Sequence, residues 1–389
     1  MNAPASTPAL DAATIPLALY LHFPWCVRKC PYCDFNSHGL RGEVPEAEYV
    51  AALIRDLEFE LQTPETRPIG SIFIGGGTPS LFSGAAMAEV LAACAQRLHF
   101  AADIEITLEA NPGTVDEANF RAYRAAGVNR LSIGVQSLND AMLKRLGRIH
   151  GHADAVRAVD TARAAGFDNL NLDLMFALPQ QTEAEAEADL AAAIALAPDH
   201  LSYYQLTLEP NTEFAARPPP LPDDDAAWAM QLAGQERLAA AGYGQYEVSA
   251  YAQAGRQSRH NRNYWQFGDY LGIGAGAHGK RTAGDVIARR ARHKLPKTYL
   301  AAAGTAKALQ EDRLVTAAER PFEFAMNALR LHEGFTMTQF EARTGLGAGV
   351  IAPILDRLAG RGLIEADGAI VRPTALGRAH LNTLIGEFL

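Results

Sequence analysis

The chain has 389 residues, of which 48% are hydrophobic and 20% are charged, a composition typical of globular proteins. Its 35 lysines and arginines against 44 aspartates and glutamates give a net charge of -9, which argues against a general nucleic-acid binder. The four cysteines, at positions 26, 30, 33 and 94, do not have the number or the spacing of a disulfide framework.

The first half of the chain alternates short apolar runs with longer Ala- and Glu-rich segments, which is typical of βα units and a parallel sheet. Pro45 is placed to open a helix over 46–62. Thr182, with Glu185 three residues later, is placed to cap a helix over 182–196. Six strands are predicted, at 17–23, 71–74, 104–109, 130–136, 169–176 and 201–208. Six βα units indicate a curved sheet or an incomplete barrel.

The middle of the chain changes character at 217–225, where prolines stiffen the backbone and three aspartates can cap a helix that starts near Ala226. A further strand is predicted over 243–251. The segment 264–280 is rich in glycine and aromatic residues.

The last part of the chain has a pattern of its own. Helices are predicted over 322–331, 338–344 and 349–361, followed by a hairpin that turns at Asp367-Gly368. Three helices and a hairpin in this order are typical of a winged-helix module. We therefore divide the chain into an N-terminal tail (1–16), a barrel (17–216), a linker and barrel extension (217–310) and a winged-helix-like α+β module (311–389).

Three of the cysteines form the motif Cys26-x3-Cys30-x2-Cys33, directly after the first predicted strand. A structural zinc site would need four ligands, but Cys94 lies in an Ala-rich helix and is expected in the core. A c-type haem site needs a histidine after a Cys-x2-Cys pair, and Asp34 stands there instead. Three cysteines without a fourth ligand indicate a four-iron cluster with one open iron.

This motif resembles that of the radical S-adenosylmethionine (SAM) superfamily, in which three cysteines follow the first strand of a partial (β/α)6 barrel. The resemblance implies an α/β fold of that type, a [4Fe-4S] cluster on the three cysteines, and SAM bound to the open iron through its amine and carboxylate. In such proteins, the cofactors supply the difficult chemistry.

Further motifs at successive strand ends are similar to the same superfamily, and a βα barrel keeps its site at those ends. A single Gly-rich turn is usually only a turn, and a single strand-end carboxylate is usually a surface residue. Here such residues occur at the ends of successive strands, in the order seen in the superfamily. By resemblance, SAM contacts are predicted for Tyr20, Tyr32, Gly76, Gly77, Thr78, Glu109, Gln136, Arg148 and Asp173.

Four motifs resemble those of the anaerobic coproporphyrinogen III oxidase-like family: YLHFPWCVRKCPYCDF, GGGTPS, GVQSLND and LPQQT. Two classes within it remain open, the oxygen-independent coproporphyrinogen III dehydrogenase and the HemW-like haem chaperone. The dehydrogenase has a fourth cysteine two positions after the third, where this chain has Phe35. This difference favours the chaperone class, for which we assign no catalytic residues. Whether SAM is cleaved or only bound stays open.

The segment His260-Asn261-Arg262-Asn263-Tyr264-Trp265 is similar to the H-N-x-x-Y-W signature of the chaperone class. His260 could bind the iron of haem b, with Asn261 beside it and with Tyr264 and Trp265 against the macrocycle. His278 is a competing iron ligand, and a histidine in a soluble domain is more often only hydrogen-bonded. The segment 256–297 carries ten lysines and arginines and two aspartates. This basic segment could pair with haem propionates, or it could be a solvated face.

The expected partners are haem and haem-accepting proteins, some of them membrane-associated. A homodimer stays open. No nucleic acid is expected, because 311–389 has eight basic against ten acidic residues, and radical modification of a macromolecule is the least favoured function. No apolar run approaches the roughly 20 residues of a membrane span. We therefore expect a cytoplasmic protein, with a peripheral position at the inner membrane face as an alternative.

Overall fold

Strands and helices alternate along most of the chain in the computed structural model, which describes residues 10–114, 116–367 and 369–389. Up to the last module the strands are β1 Leu17–Phe23, β2 Trp25–Cys26, β3 His38–Gly39, β4 Ile69–Gly76, β5 Phe100–Ala110, β6 Arg130–Gln136, β7 Leu170–Phe176, β8 His200–Gln205, β9 Gly244–Gln245, β10 Ala250–Ala252, β11 Asp269–Ile273, β12 His278–Ala283, β13 Val286–Arg292 and β14 Leu309–Leu314. The helices are α1 Glu46–Glu60, α2 Gly84–Arg97, α3 Glu117–Ala125, α4 Asp140–Arg145, α5 His152–Ala164, α6 Glu183–Ala195, α7 Glu213–Ala216, α8 Asp224–Ala240, α9 Arg259–Trp265 and α10 Pro296–Ala302.

Twelve of these strands form one sheet, in the order β14-β13-β12-β11-β1-β4-β5-β6-β7-β8-β10-β9. The seven strands from β11 to β8 run parallel. Antiparallel strands extend the sheet at both ends. The fold is therefore the predicted α/β barrel type, with a sheet that continues well beyond the six predicted strands.

The local signals explain why the central elements form. Strand β1 is buried along almost its whole length, as expected for a parallel strand covered on both faces. Helix α6 begins with the predicted capping box, in which the Thr182 and Glu185 side chains each accept from the other's backbone N–H. The Asp223 side chain caps α8 by accepting from the backbone N–H of Ala226 at 2.8 Å. All six predicted strands are confirmed, two of them with the predicted bounds.

The strand predicted over 243–251 is wrong as a single element. The structure has two short antiparallel strands there, β9 and β10. Between them the Glu247 carboxylate accepts from the backbone N–H of Ser249 at 3.3 Å. Such a local side-chain bond competes with strand pairing and favours a turn.

The last module contains β15 Phe335–Thr336, β16 Ile364–Ala366 and β17 Ile370–Pro373, with helices α11 Arg320–Ala328, α12 Met337–Thr344, α13 Ala352–Gly360, α14 Ala375–Ala379 and α15 Leu381–Gly386. The strands form a separate antiparallel sheet in the order β15-β17-β16. The predicted hairpin is β16–β17, and Gly368 of its predicted turn lies outside the described residues.

Two apolar cores hold these layers together. The larger lies between the parallel strands and the helices that cover them. The smaller core belongs to the last module and includes Phe267 and Ile287 from the sheet extension, so this module packs on the β11–β13 side of the sheet. In the described ranges, no helix combines the length and apolar character needed to cross a membrane.

Candidate functional site

The carboxyl ends of the parallel strands meet at one cavity of about 450 Å³. Neighbouring strands are about 4.8 Å apart, so a flat sheet could not bring the ends of β4 and β8 to the same small space. Residues at the ends of β4, β5, β6, β7 and β8 all line it, so the sheet must curve around it. The predicted residues that line this cofactor cavity are Cys26, Cys30, Tyr32, Cys33, Gly76, Gly77, Thr78, Glu109, Gln136, Arg148 and Asp173.

The cysteine loop follows β1 and is closed by the short parallel pair β2–β3. The imidazole of His22 contacts the carbonyl oxygen of Asn36 at 2.8 Å. The Asn36 amide donates to the carbonyl oxygens of Ala275 and Lys294, at 2.9 and 3.0 Å. The loop is thus held from both sides, which fixes where its thiols face the cavity.

The three thiols of the cysteine loop fit an iron–sulfur cluster. Cys26, Cys30 and Cys33 line one cavity, are partly exposed and are free of disulfides, whereas Cys94 is 1% exposed in the core. Cysteine thiolates are the ligands that hold iron–sulfur clusters in proteins. Three of them on one short loop beside open space therefore match the donor set of a four-iron cluster with one open iron.

The glycine turn after β4 brings bare backbone to the cavity. A Cβ on Gly77 would lie 2.5 Å from the carbonyl oxygen of Trp25, and Gly76 has a φ of +114°. The backbone N–H groups of Gly77 and Thr78 donate to the carbonyls of Phe23 and Trp25, both at 2.7 Å. Only glycine fits this close approach of β4 to the cysteine loop.

Two carboxyl groups lie half-buried at the cavity wall. Glu109 accepts from the backbone N–H of Gly76 at 3.0 Å. Burial, reinforced by the nearby charge of Asp173, raises the pKa of Glu109 to about 8. Burial also raises the pKa of Asp173, although that carboxylate accepts from Ser132 and Asn171. A cationic ligand would be stabilised here, because it would offset the cost of ionising these groups.

A positive charge also lines the cavity. The Arg148 guanidinium is 3.5 Å from Cys30 Sγ and donates to the carbonyl oxygen of Gly134 at 2.8 Å. The site therefore offers an arginine beside the thiols and carboxyl groups farther along the strand ends. This arrangement suits a small molecule that carries both charges, as SAM does.

Sequence reasoning missed several polar residues of this cavity. Asn111 follows β5, where its amide donates to the Thr78 hydroxyl at 2.8 Å. Tyr204, near the end of β8, donates to the Gln136 side chain at 2.8 Å. Applying the strand-end rule to the sixth strand would have found Tyr204.

A second cavity of about 360 Å³ adjoins the first. The two share Asp34, Phe35, Gly76 and Glu109. Tyr20, predicted for SAM, lines this second cavity and is absent from the lining of the first. Its hydroxyl contacts His22 Nδ1 at 2.9 Å.

The predicted haem residues do not come together in one cavity. His260 is 2% exposed. Its ring stacks on Phe73 with centroids 4.8 Å apart and lies 6.2 Å from the ring of Tyr20. Burial, with a smaller effect of Arg130, lowers the pKa of His260 to about 3. Of the predicted set, only Tyr264 lines the second cavity.

The other two predicted haem residues have structural contacts. The backbone N–H of Asn261 donates to Ser258 Oγ at 3.3 Å, in the first turn of α9. The ring of Trp265 lies under the guanidinium of Arg330, 4.3 Å from its centroid. Both residues thus support α9 and its contact with the last module.

The basic segment 256–297 is largely neutralised by ion pairs with other parts of the chain. Arg292 is fully buried between Asp56 and Glu60, at 2.9 and 2.5 Å. Lys280 pairs with buried Asp269 at 2.7 Å. Further pairs hold Arg256, Arg259, Arg262, Arg281, Arg289 and Arg290. Eight of the ten cations in this segment thus have a carboxylate within 4.0 Å, which offsets most of its positive charge. Pairing with haem propionates stays a prediction.

Comparisons with known proteins agree with this geometry. A family model described as the radical SAM superfamily matches residues 20–193, and one described as the HemN C-terminal domain matches residues 315–380. The chain is 52% identical to "Heme chaperone HemW" of Escherichia coli (strain K12) over 96% of this chain and 98% of that protein. The chain belongs to the HemW family of radical SAM proteins. Membership of this superfamily implies a [4Fe-4S] cluster and SAM as cofactors.

More distant members of the HemW family match along the same length. "Heme chaperone HemW" of Bacillus subtilis (strain 168) is 33% identical over 95% of this chain and 98% of that protein. Among solved structures, the radical SAM enzyme coproporphyrinogen III oxidase (HemN) from Escherichia coli superposes with a TM-score of 0.81. It is 24% identical, with 96% of this chain and 90% of that one covered. This second likeness shows a shared fold.

Proposed function

We propose that this protein is a haem chaperone, which binds a [4Fe-4S] cluster, SAM and haem b and delivers the haem to haem-accepting proteins. The observation that carries the proposal is the cavity lined by three thiols and by polar residues at the strand ends. The 52% sequence identity to a haem chaperone along nearly the whole chain supports it. Cys26, Cys30 and Cys33 hold the cluster. When bound, the cluster supplies an open iron and a redox centre.

SAM occupies the cofactor cavity beside the thiols. The glycine turn admits it close to the backbone, and Thr78, Gln136 and Tyr32 line the same space. Glu109 and Asp173 face its positive groups, while Arg148 is placed for its carboxylate. Tyr20 acts from the second cavity, through the hydroxyl that contacts His22.

Haem binds close to α9, where Tyr264 reaches the second cavity. His260 is a conceivable iron ligand only if it leaves its stack on Phe73. Asn261 and Trp265 then contribute by holding α9 in place. Membrane-associated acceptor proteins, a position at the inner membrane face and a homodimer stay predictions.

The competing function is oxygen-independent coproporphyrinogen III dehydrogenase, which the fold shared with HemN favours. Phe35 opposes it, because this exposed aromatic residue stands where the dehydrogenase has a fourth cysteine. Its side chain lines both cavities. The extra thiol is thus missing at a position that lines both cavities.

The cluster assignment is tested by anaerobic reconstitution with iron and sulfide. The Cys30→Ala variant should lose iron and the broad iron–sulfur absorbance, while Cys94→Ala, which removes a thiol from the core of α2, should keep both. Equal iron content in the two variants would refute the assignment.

The chaperone function is tested with the reconstituted full-length protein. Haem titration should give a Soret band, and mixing with an apo-haemoprotein should transfer the haem. With SAM, a reductant and coproporphyrinogen, no protoporphyrinogen should form. Its formation, or the absence of a Soret band, would overturn the proposal.

A further inference from the structure

The second cavity has the side chains that a metalloporphyrin requires. It lies between β1, the start of β12 and the cysteine loop, beside the cofactor cavity. The aromatic residues Phe35, Tyr264 and Tyr270 line it, together with His22, His278 and the cationic residue Lys294. Flat apolar surface, a nitrogen ligand and a cation in one cavity match a macrocycle, its iron and its propionates.

His278 is the imidazole in this cavity that is free to bind. It is exposed at the first position of β12, and among the described residues its ring has no hydrogen-bond partner within 3.5 Å. His22 uses both of its ring nitrogens, on the Tyr20 hydroxyl and the Asn36 carbonyl. His260 lies buried against Phe73. Burial, with smaller effects of nearby charges, lowers the pKa of His278, which favours the neutral form that binds metals.

Lys294, the cationic residue of this cavity, is one of two cationic residues in the basic segment that form no ion pair in the part of the chain that the structure describes. In the described ranges, Lys294 and Lys297 are the members of the basic segment 256–297 without a carboxylate partner within 4.0 Å. Lys294 lines the second cavity, whereas Lys297 does not. One of the two unpaired cations of this 42-residue segment therefore lines the same cavity as His278.

The backbone of Lys294 is tied to the cysteine loop. Its carbonyl oxygen accepts from the amide of Asn36 at 3.0 Å and contacts His38 Nε2 at 3.1 Å. Asn36 is three residues after Cys33 in the chain. The cavity wall and the cluster loop therefore form one hydrogen-bonded unit.

We infer that the second cavity is the haem site, with the His278 imidazole as an iron ligand, Lys294 paired with a propionate, and the rings of Tyr264, Tyr270 and Phe35 against the macrocycle. The inference rests on the proposed function, since it assumes that the protein binds haem. It places haem next to the cofactor cavity, with Phe35 in the wall that the two cavities share. The role of α9 is then to form part of the cavity wall through Tyr264, and no residue of α9 binds the iron.

The test is an anaerobic haem titration of the cluster-loaded full-length protein, followed at the Soret band. His278→Ala should shift the Soret maximum and weaken haem binding at least about tenfold, the scale of losing one metal-site interaction. Millimolar imidazole should restore the wild-type maximum, which a merely structural role of His278 would not allow. His278→Gln provides a second variant of closer size.

Lys294→Ala should weaken binding by about two- to fivefold, as expected for an ion pair near solvent, without moving the Soret maximum. Lys297→Ala is the matched control and should change neither. His260→Ala should keep the wild-type maximum. If only His260→Ala loses the band and recovers it with imidazole, while both His278 variants bind normally, the inference is overturned and the proposed function stands. If wild-type protein gives no Soret band, the proposed function itself fails.

Discussion

Glu109 should make the stability of this protein depend on pH in an unusual direction. Its carboxyl group lies half-buried at the end of β5, accepts one backbone N–H at 3.0 Å and has a pKa of about 8 because of burial and the proximity of Asp173. In the unfolded chain its pKa is about 4.5. Between these values the folded protein holds a proton that the unfolded chain has lost.

The direction and size of this pH dependence follow from the linkage between proton binding and folding. A folded state that binds more protons loses stability as the pH rises, so the loss begins near pH 4.5 and is complete above about pH 8. A gap of about three units at about 1.4 kcal/mol per unit gives about 3 to 5 kcal/mol. Glu109→Gln removes the ionisation and leaves an amide oxygen for the Gly76 N–H. The variant should therefore be more stable than the wild type at pH 8.5 and nearly equal at pH 5.

The assay is urea unfolding of the full-length protein without SAM at pH 5, 7 and 8.5, followed by circular dichroism. The difference in unfolding free energy between variant and wild type should widen with pH by about 3 to 5 kcal/mol. Glu48→Gln, on the exposed face of α1, serves as the control and should stay within about 0.5 kcal/mol of the wild type. Parallel stability curves for Glu109→Gln and the wild type would refute the reasoning.

Two further predictions concern the fold around the site. Arg292→Ala leaves Asp56 and Glu60 buried without their cation and should cost about 3 to 5 kcal/mol of unfolding free energy; a loss below about 1 kcal/mol in urea unfolding would contradict this. Gly77→Ala places a Cβ 2.5 Å from a backbone carbonyl and should cost about 1 to 3 kcal/mol. Gly70→Ala, in β4 before this turn and with its nearest neighbour at 3.8 Å, is the control, and equal melting temperatures for the two variants would rule out the close approach.

The parallel half of the fold was predictable because its signals are local. The apolar runs of buried parallel strands are continuous, and caps such as Thr182 and Asp223 mark where helices begin. The extension of the sheet was not predictable in the same way. Strand β11 pairs with β1 from about 250 residues away, and no local pattern specifies such a partner. The turn at Glu247 was missed because a single side-chain bond decides it.

The cofactor cavity was largely predictable, since strand-end residues of a βα barrel must share one face. The haem residues were not. His260 has the right chemistry in the right kind of motif, but its exposure depends on Tyr20 and Phe73, which approach it from other strands. The charge count of the basic segment could not show which of its cations are paired, because partners such as Asp56 and Glu323 lie outside the segment.

The packing of α9 suggests why a motif with haem chemistry can lie away from open space. His260 packs on the rings of Tyr20 from β1 and Phe73 from β4, and Asn263 donates to the carbonyl oxygen of Asp269 at 2.9 Å. This contact fixes the start of β11, the strand that leads to His278. Substitutions in α9 residues that position β11 and the second cavity would disturb haem binding as much as substitutions in residues that touch haem directly. The effect of His260→Ala on the Soret maximum separates the two roles, because a supporting residue changes how much haem binds but leaves the iron ligand in place.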